Sequence, residues 1–150
     1  MILIKFFAII FFNLIDKFIH QKKILKFLKR NLNNLDIFID VGSHKGTYTD
    51  LILKNYKVKK IFMFEPQKNI FYFIKYKYKN TKKIKLFNTA ASNKEGVKNI
   101  YINQHDLTSS LTKLNKKNSY LNYKAFLFGS TMDKMISKVR KIKTVKLKDI

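Results

Sequence analysis

The stretch that most constrains this chain is Asp36 to Asp50, DIFIDVGSHKGTYTD. The apolar run Ile37-Phe38-Ile39 ends in Asp40. Val41-Gly42-Ser43-His44-Lys45-Gly46 follows, and Thr47-Tyr48-Thr49-Asp50 opens a helical pattern. A strand, a glycine-bearing turn and a helix in immediate succession is how α/β folds build a nucleotide pocket. The chain has only four glycines, and two of them stand here. In so glycine-poor a chain, Gly42 and Gly46 point to backbone geometry, with the backbone brought close to a ligand. The helix that follows adds free N–H groups and a positive dipole end.

The pattern repeats downstream. Leu35–Val41 is an almost unbroken apolar run, which predicts a strand buried on both faces of a parallel sheet. Thr47 and Asp50 have capping-box spacing, and Tyr48, Leu51, Ile52 and Tyr56 recur at helical intervals. Ile61–Phe64 predicts a second strand that ends at Glu65. Pro66, the only proline, suits the start of a helix and not a central strand, so a helix should begin near Gln67. Ile70, Phe73, Ile74, Lys77 and Tyr78 mark its inner face. Ile84–Phe87 predicts a third strand, followed by Asn88-Thr89-Ala90-Ala91 and a turn cluster from Ser92 to Gly96. Val97–Asn103 reads as a half-exposed strand with Val97, Ile100 and Ile102 inward. Gln104–Asn118 reads as loop, residues 119–140 as mixed helix and loop, and Thr144–Leu147 as a last strand. Such alternation argues an α/β fold with a parallel sheet.

Residues 1–34 form a distinct N-terminal segment. The first 20 are the most apolar part of the chain, but their longest uninterrupted run is Phe6–Phe12. A spanning helix needs about 20 apolar residues, and no small-residue cleavage site follows the run. Ile24, Leu25, Leu28 and Leu32 then recur at helical spacing, flanked by Lys22, Lys23, Lys26, Lys29 and Arg30. This is a basic amphipathic helix. It can lie on a membrane surface or pack on the domain formed by residues 35–150.

The net charge of +23 invites a nucleic-acid reading. Of the 32 basic residues, however, only Arg30 and Arg140 are arginine, and arginine is the preferred residue for bidentate phosphate and base contacts. Lysine, asparagine, isoleucine, phenylalanine and tyrosine are abundant along the whole chain, so the charge reads as a compositional bias and no specific nucleic-acid partner is expected. The chain has no cysteine, which excludes disulfides, thiolate metal sites and a cysteine nucleophile and fits the cytoplasm. His20, His44 and His105 show no ligand spacing, so no metal is expected. His105-Asp106 and Ser109-Ser110 read as loop residues, and Phe71-Tyr72-Phe73 with Tyr76 and Tyr78 as a helix that covers the sheet.

The expected ligand is narrowed by what the turn lacks. Glu65 ends the second strand 23 residues after Gly42, where an acidic side chain can hold ribose hydroxyls. The turn reads D-x-G-x-x-x-G. It therefore lacks the G-x-G-x-x-G turn that cradles a pyrophosphate, and no Gly-Lys-Ser/Thr follows Gly46 to make a P-loop. An NAD-type domain is disfavoured, and a ligand with adenosine and no phosphate fits better.

Phe38-Ile39-Asp40-Val41-Gly42-Ser43-His44-Lys45-Gly46, Phe64-Glu65-Pro66, and Phe87-Asn88-Thr89-Ala90-Ala91-Ser92 with Gly96 together resemble the FkbM-type methyltransferases, which depend on S-adenosylmethionine. Ser109-Ser110-Leu111 resembles the family's serine loop, and Val145–Ile150 its Val-x-Leu-Asp-Asp segment. The resemblance implies an incomplete Rossmann-like parallel sheet of the class I methyltransferase type, with an N-terminal helical extension. It implies that Asp40, Gly42, Ser43, His44 and Gly46 shape the pocket for the methionine and ribose of the cofactor. Glu65 would hold the ribose, and Asn88, Thr89 and Ala90 would lie near the adenine. The implied reaction is methylation of a hydroxyl on a sugar or other small molecule, with no residue singled out as the base. His44 stands where the family has Asn, and Lys148 where Asp is common. The family continues with an Asp-x-Glu-Gly segment, so the chain is expected to be the N-terminal portion of a longer enzyme, carrying the cofactor half of the site. The alternative is a lysine-rich module that binds RNA or an anionic membrane without catalysis.

Overall fold

A computed structural model describes residues 19–103, 109–112, 119 and 136–149. Helix α1 spans Gln21–Asn31, and β1 (Ile37–Val41), α2 (Thr47–Asn55), β2 (Lys60–Phe64), α3 (Lys68–Lys77) and β3 (Ile84–Phe87) follow in the expected alternation. The short strand β4 (Ala90–Ala91), then β5 (Gly96–Asn103) and β6 (Ile136–Val145), lead to a 3-10 turn at Leu147–Asp149. The first sheet has the order β1-β2-β3 and is parallel throughout. The second has the order β4-β6-β5, with β4 and β6 parallel. The chain is thus α/β with a three-stranded parallel sheet.

The described chain divides into two compact units. Of the described residues, one comprises 23–98 with 142–149, the other 19–22 with 99–103, 109–112, 119 and 136–141. In the first, Phe38, Ile61 and Ile84 are register partners, as are Asp40, Met63 and Leu86. These residues share the sheet face that α2 and α3 cover. Their apolar members pack with Ile52, Val58, Ile74 and Tyr78 into one core, with Leu28 and Leu35 against it. In the second unit, Ile100 and Ile102 are buried and Tyr101 pairs with Ser110 through an antiparallel bridge.

The prediction that β1 is buried on both faces is overturned. Ile37, Ile39 and Val41 are 55%, 47% and 53% exposed. The cause is topological. Two successive parallel crossovers running the same way along a sheet place both helices on one face. The other face carries Ile37, Ile39 and Val41 beside Phe62, Phe64 and Phe87. Phe64 and Phe87 stack at 4.8 Å between ring centroids.

Other expectations shift in phase. Val97 is exposed while Ile100 and Ile102 are buried, because period-two geometry puts Lys98, and not Val97, on their face. Phe73, Tyr72 and Tyr76 are exposed, so the sheet-covering stripe of α3 is Ile70, Ile74 and Tyr78. The expected last strand at Thr144–Leu147 begins at Ile136 and ends at Val145, so part of the predicted helix and loop is strand. The apolar residues 1–18, the loop around His105 and Asp106, and residues 120–135 lie outside the described residues.

Candidate nucleoside site at the strand ends

Val41, Phe64 and Phe87 are register partners, so Gly42, Glu65 and Asn88 leave the three strands side by side. Each is 23 residues from the next. Backbone bonds carry the ladder past the strands: the Gly42 amide donates to the Phe64 carbonyl at 2.9 Å and the Glu65 amide to that of Phe87 at 3.0 Å. The Asn88 side-chain amide donates to the carbonyls of Glu65 (2.9 Å) and Pro66 (3.2 Å), which ties the end of β3 to the turn after β2.

Glu65 organises this row. It is only 3% exposed. The His44 amide donates to its Oε2 at 2.9 Å and the Gln67 amide to its Oε1 at 2.8 Å. One carboxylate thereby fastens the turn after β1 and the start of α3. His44 needs that restraint, since its φ of 45° lies in the left-handed region that a non-glycine side chain disfavours. Ser43 is buried, and its Oγ lies 3.1 Å from the Asp40 carbonyl and 3.3 Å from that of Phe64, to either of which it donates. Its hydroxyl therefore staples the turn to the sheet.

The two glycines differ. Gly42 has φ 72°, and among the described residues a Cβ there would meet nothing within 4 Å, so they leave open space beside its backbone. Gly46 has φ 77°, and a Cβ there would lie 2.3 Å from the Tyr78 hydroxyl oxygen. Gly46 therefore makes room for a tyrosine of this chain. The Tyr78 hydroxyl reaches both the Gly46 carbonyl (2.9 Å) and Asp50 Oδ1 (2.7 Å). Lys77 adds bonds to the Lys45 carbonyl and the other oxygen of Asp50. Burial, and then the bond to Asp50, pushes the Tyr78 phenol well above its ordinary pKa. The expected Thr47–Asp50 capping box does not form. Gly46 is the N-cap, no side chain caps the helix, and Asp50 is turned toward Tyr78 and Lys77.

Asp40 lies on the helix-covered face and accepts a 2.6 Å bond from the Thr49 hydroxyl. Burial raises its carboxyl above the usual range, and Thr49 partly opposes the rise. A carboxyl whose pKa is raised on folding binds its proton more tightly in the folded chain, so its charge weighs against folding once the pH exceeds the unfolded pKa. Asp40→Asn, which keeps an oxygen for Thr49, should raise Tm at pH 7. The gain should disappear as the pH falls below about 3.5, where both states of the native carboxyl are protonated. Thermal unfolding at the two pH values checks this, and a lower Tm at pH 7 would contradict it.

Of the residues singled out in the sequence, Gly42, Ser43, His44, Glu65 and Asn88 converge at the strand ends. The Thr89 hydroxyl is buried and has no hydrogen-bond partner among the described residues, and Ala90 pairs with Thr144 in the second sheet. Thr49 was not singled out in the sequence, Asp50 was expected to cap its own helix, and Lys77 and Tyr78 were expected only to line the inner face of α3. A separate cavity of about 450 Å³ opens near the start of β1, lined by Lys29, Asn34, Asn55 and Tyr56 among others. It lies away from the carboxyl ends of the strands. Among the described residues, no group of three or more acidic, His or Cys side chains could hold a metal. No known protein family, curated protein or solved structure matches the chain.

Proposed function

We propose that the ends of β1, β2 and β3 bind S-adenosylmethionine and that the chain is the cofactor-binding part of a Rossmann-like methyltransferase acting on a small-molecule hydroxyl, such as that of a saccharide. The observation that carries this reading is the row Gly42–Glu65–Asn88, with its acidic member clamped at the carboxyl end of the middle strand. Ligands of parallel α/β sheets bind outside those carboxyl ends. The donor set suits a nucleoside. Open space beside Gly42 admits a ligand close to the backbone. Glu65, its oxygens held by the His44 and Gln67 amides, is fixed where an acidic side chain at the end of the second strand can hold ribose hydroxyls. The Thr89 hydroxyl, which has no hydrogen-bond partner among the described residues, is available to a ring nitrogen.

S-Adenosylmethionine, when bound, supplies a methyl group on a sulfonium. The residues described here bind and orient, and the rate of such a transfer depends largely on how the acceptor oxygen is placed. Calorimetric titration with S-adenosylhomocysteine should show saturable binding tighter than about 1 mM, with no competition from NAD. Thr89→Val, nearly isosteric, should weaken it about fivefold, the worth of one hydrogen bond. A folded chain that gives no heat with S-adenosylhomocysteine would overturn the reading.

A further inference from the structure

The face of α1 points to a second surface, independent of the strand ends. The helix QKKILKFLKRN contains five cations and no acidic residue. Its apolar stripe is wider than its contact with the domain. Leu28 packs against the core, yet no residue of α1 is buried. Ile24 is 40% and Phe27 65% exposed. Three residues apart, they lie on one stripe, and Lys23 and Arg30, four before and three after Phe27, are its neighbours on the helix surface. An aliphatic and an aromatic side chain side by side, bracketed by cations, is the composition of a helix that rests in a lipid interface.

We infer that α1 docks the protein on an anionic membrane surface, with Ile24 and Phe27 inserted among the acyl chains and Lys23, Lys26 and Arg30 at the headgroups. Charge complementarity selects the occupant. Anionic headgroups answer five cations on one helix, and acyl chains answer Ile24, which has no flat face on which a base can stack. The chain just before α1 is also the most apolar of the sequence, residues 1–18, so the docked helix lies next to a segment of matching chemistry. Among the described residues no helix is long and apolar enough to cross a membrane.

The test is co-sedimentation of the full chain with phosphatidylcholine vesicles that contain about 30% phosphatidylserine, at about 0.15 M salt. Because the whole chain is strongly basic, the decisive variant leaves the charge unchanged. Ile24→Ser with Phe27→Ser should weaken binding about tenfold or more. Lys23→Gln with Lys26→Gln should weaken it about fivefold per charge. The same charge removed elsewhere, by Lys54→Gln with Lys94→Gln, should change it less than about twofold. Both serine positions are exposed, and an unchanged circular dichroism spectrum confirms that the variant is folded.

The chain has no tryptophan, so Phe27→Trp provides a single reporter. Its emission should shift to the blue with the anionic vesicles and stay unchanged with polyuridylic acid. Binding that survives the serine pair, or that falls equally with the control pair, would reduce the interaction to net charge and overturn the inference. So would a shift with the RNA alone. Calorimetry with S-adenosylhomocysteine on the serine pair should match the native chain, so failure of one proposal leaves the other standing.

Discussion

Gly46→Ala should destabilise the folded chain by about 2–5 kcal/mol. Two costs combine. The backbone at φ 77° lies in the left-handed region, which costs a side-chain-bearing residue about 1–2 kcal/mol. The new methyl group would also meet Tyr78, with Oη at 2.3 Å and Cε2 at 2.9 Å, and overpacking of this kind typically costs about 1–3 kcal/mol. The tyrosine cannot easily retreat, because its hydroxyl is held by the Gly46 carbonyl and Asp50. Gly42→Ala separates the two costs. It has nearly the same φ, 72°, but open space at Cβ, and should cost only the backbone part, about 1–2 kcal/mol. Urea midpoints of the two variants measure the difference, and equal losses would show that Tyr78 does not determine the need for glycine. Adding Tyr78→Phe to Gly46→Ala removes the nearest atom and should recover part of the loss. That coupling would not arise between independent sites.

Glu65→Ala should cost about 2–5 kcal/mol and weaken S-adenosylhomocysteine binding more than tenfold. The substitution leaves the amides of His44 and Gln67 without their acceptor at a position that is almost fully buried. It also frees His44 from a backbone conformation that only a partner sustains. Glu65→Gln should fall between the two, since its amide group keeps one oxygen but presents an N–H to the other backbone N–H. Urea unfolding reports the stability, and titration of each variant under conditions where it remains folded reports the binding. An alanine variant as stable as the native chain would show that the clamp carries no weight. A stable variant that binds normally would remove Glu65 from the proposed ribose contact.

Much of the first sheet was legible in the sequence, and the reason is local. Short apolar runs bounded by a glycine turn, a proline and a polar cluster carry β1, β2 and β3 with little help from their neighbours. Pro66 stops β2 because it cannot donate to a ladder, and α3 starts two residues later. The second sheet was harder to read. β6 spans Ile136–Val145 as ISKVRKIKTV, which does not alternate cleanly, and its pairing with the two residues of β4 links segments more than 50 positions apart. No window of sequence contains that partnership.

The candidate site divides in the same way. That Gly42 and Glu65 would end adjacent strands followed from the spacing, since register partners in β1, β2 and β3 recur at a constant interval. The destinations of the side chains did not follow. Ser43 could have faced a ligand but donates to a backbone carbonyl, that of Asp40 or Phe64, and Asp50 could have capped its own helix but is held by Tyr78 and Lys77. A polar side chain in a turn has several acceptors within reach, and the choice among them depends on which distant segment arrives beside it.

By itself, then, the sequence determined the alternation of strands and helices, the glycine turn, the place of the acidic residue and the basic amphipathic character of Gln21–Asn31. These are properties of backbone preference and periodicity, which act over a few residues. Tertiary structure alone decided that one face of β1 stays half exposed, that Tyr78 lies under Gly46, that Glu65 grips two backbone amides, and that Ile24 and Phe27 remain exposed. Each of these depends on which surfaces meet, and burial and hydrogen bonding at a meeting point are set by both sides of it.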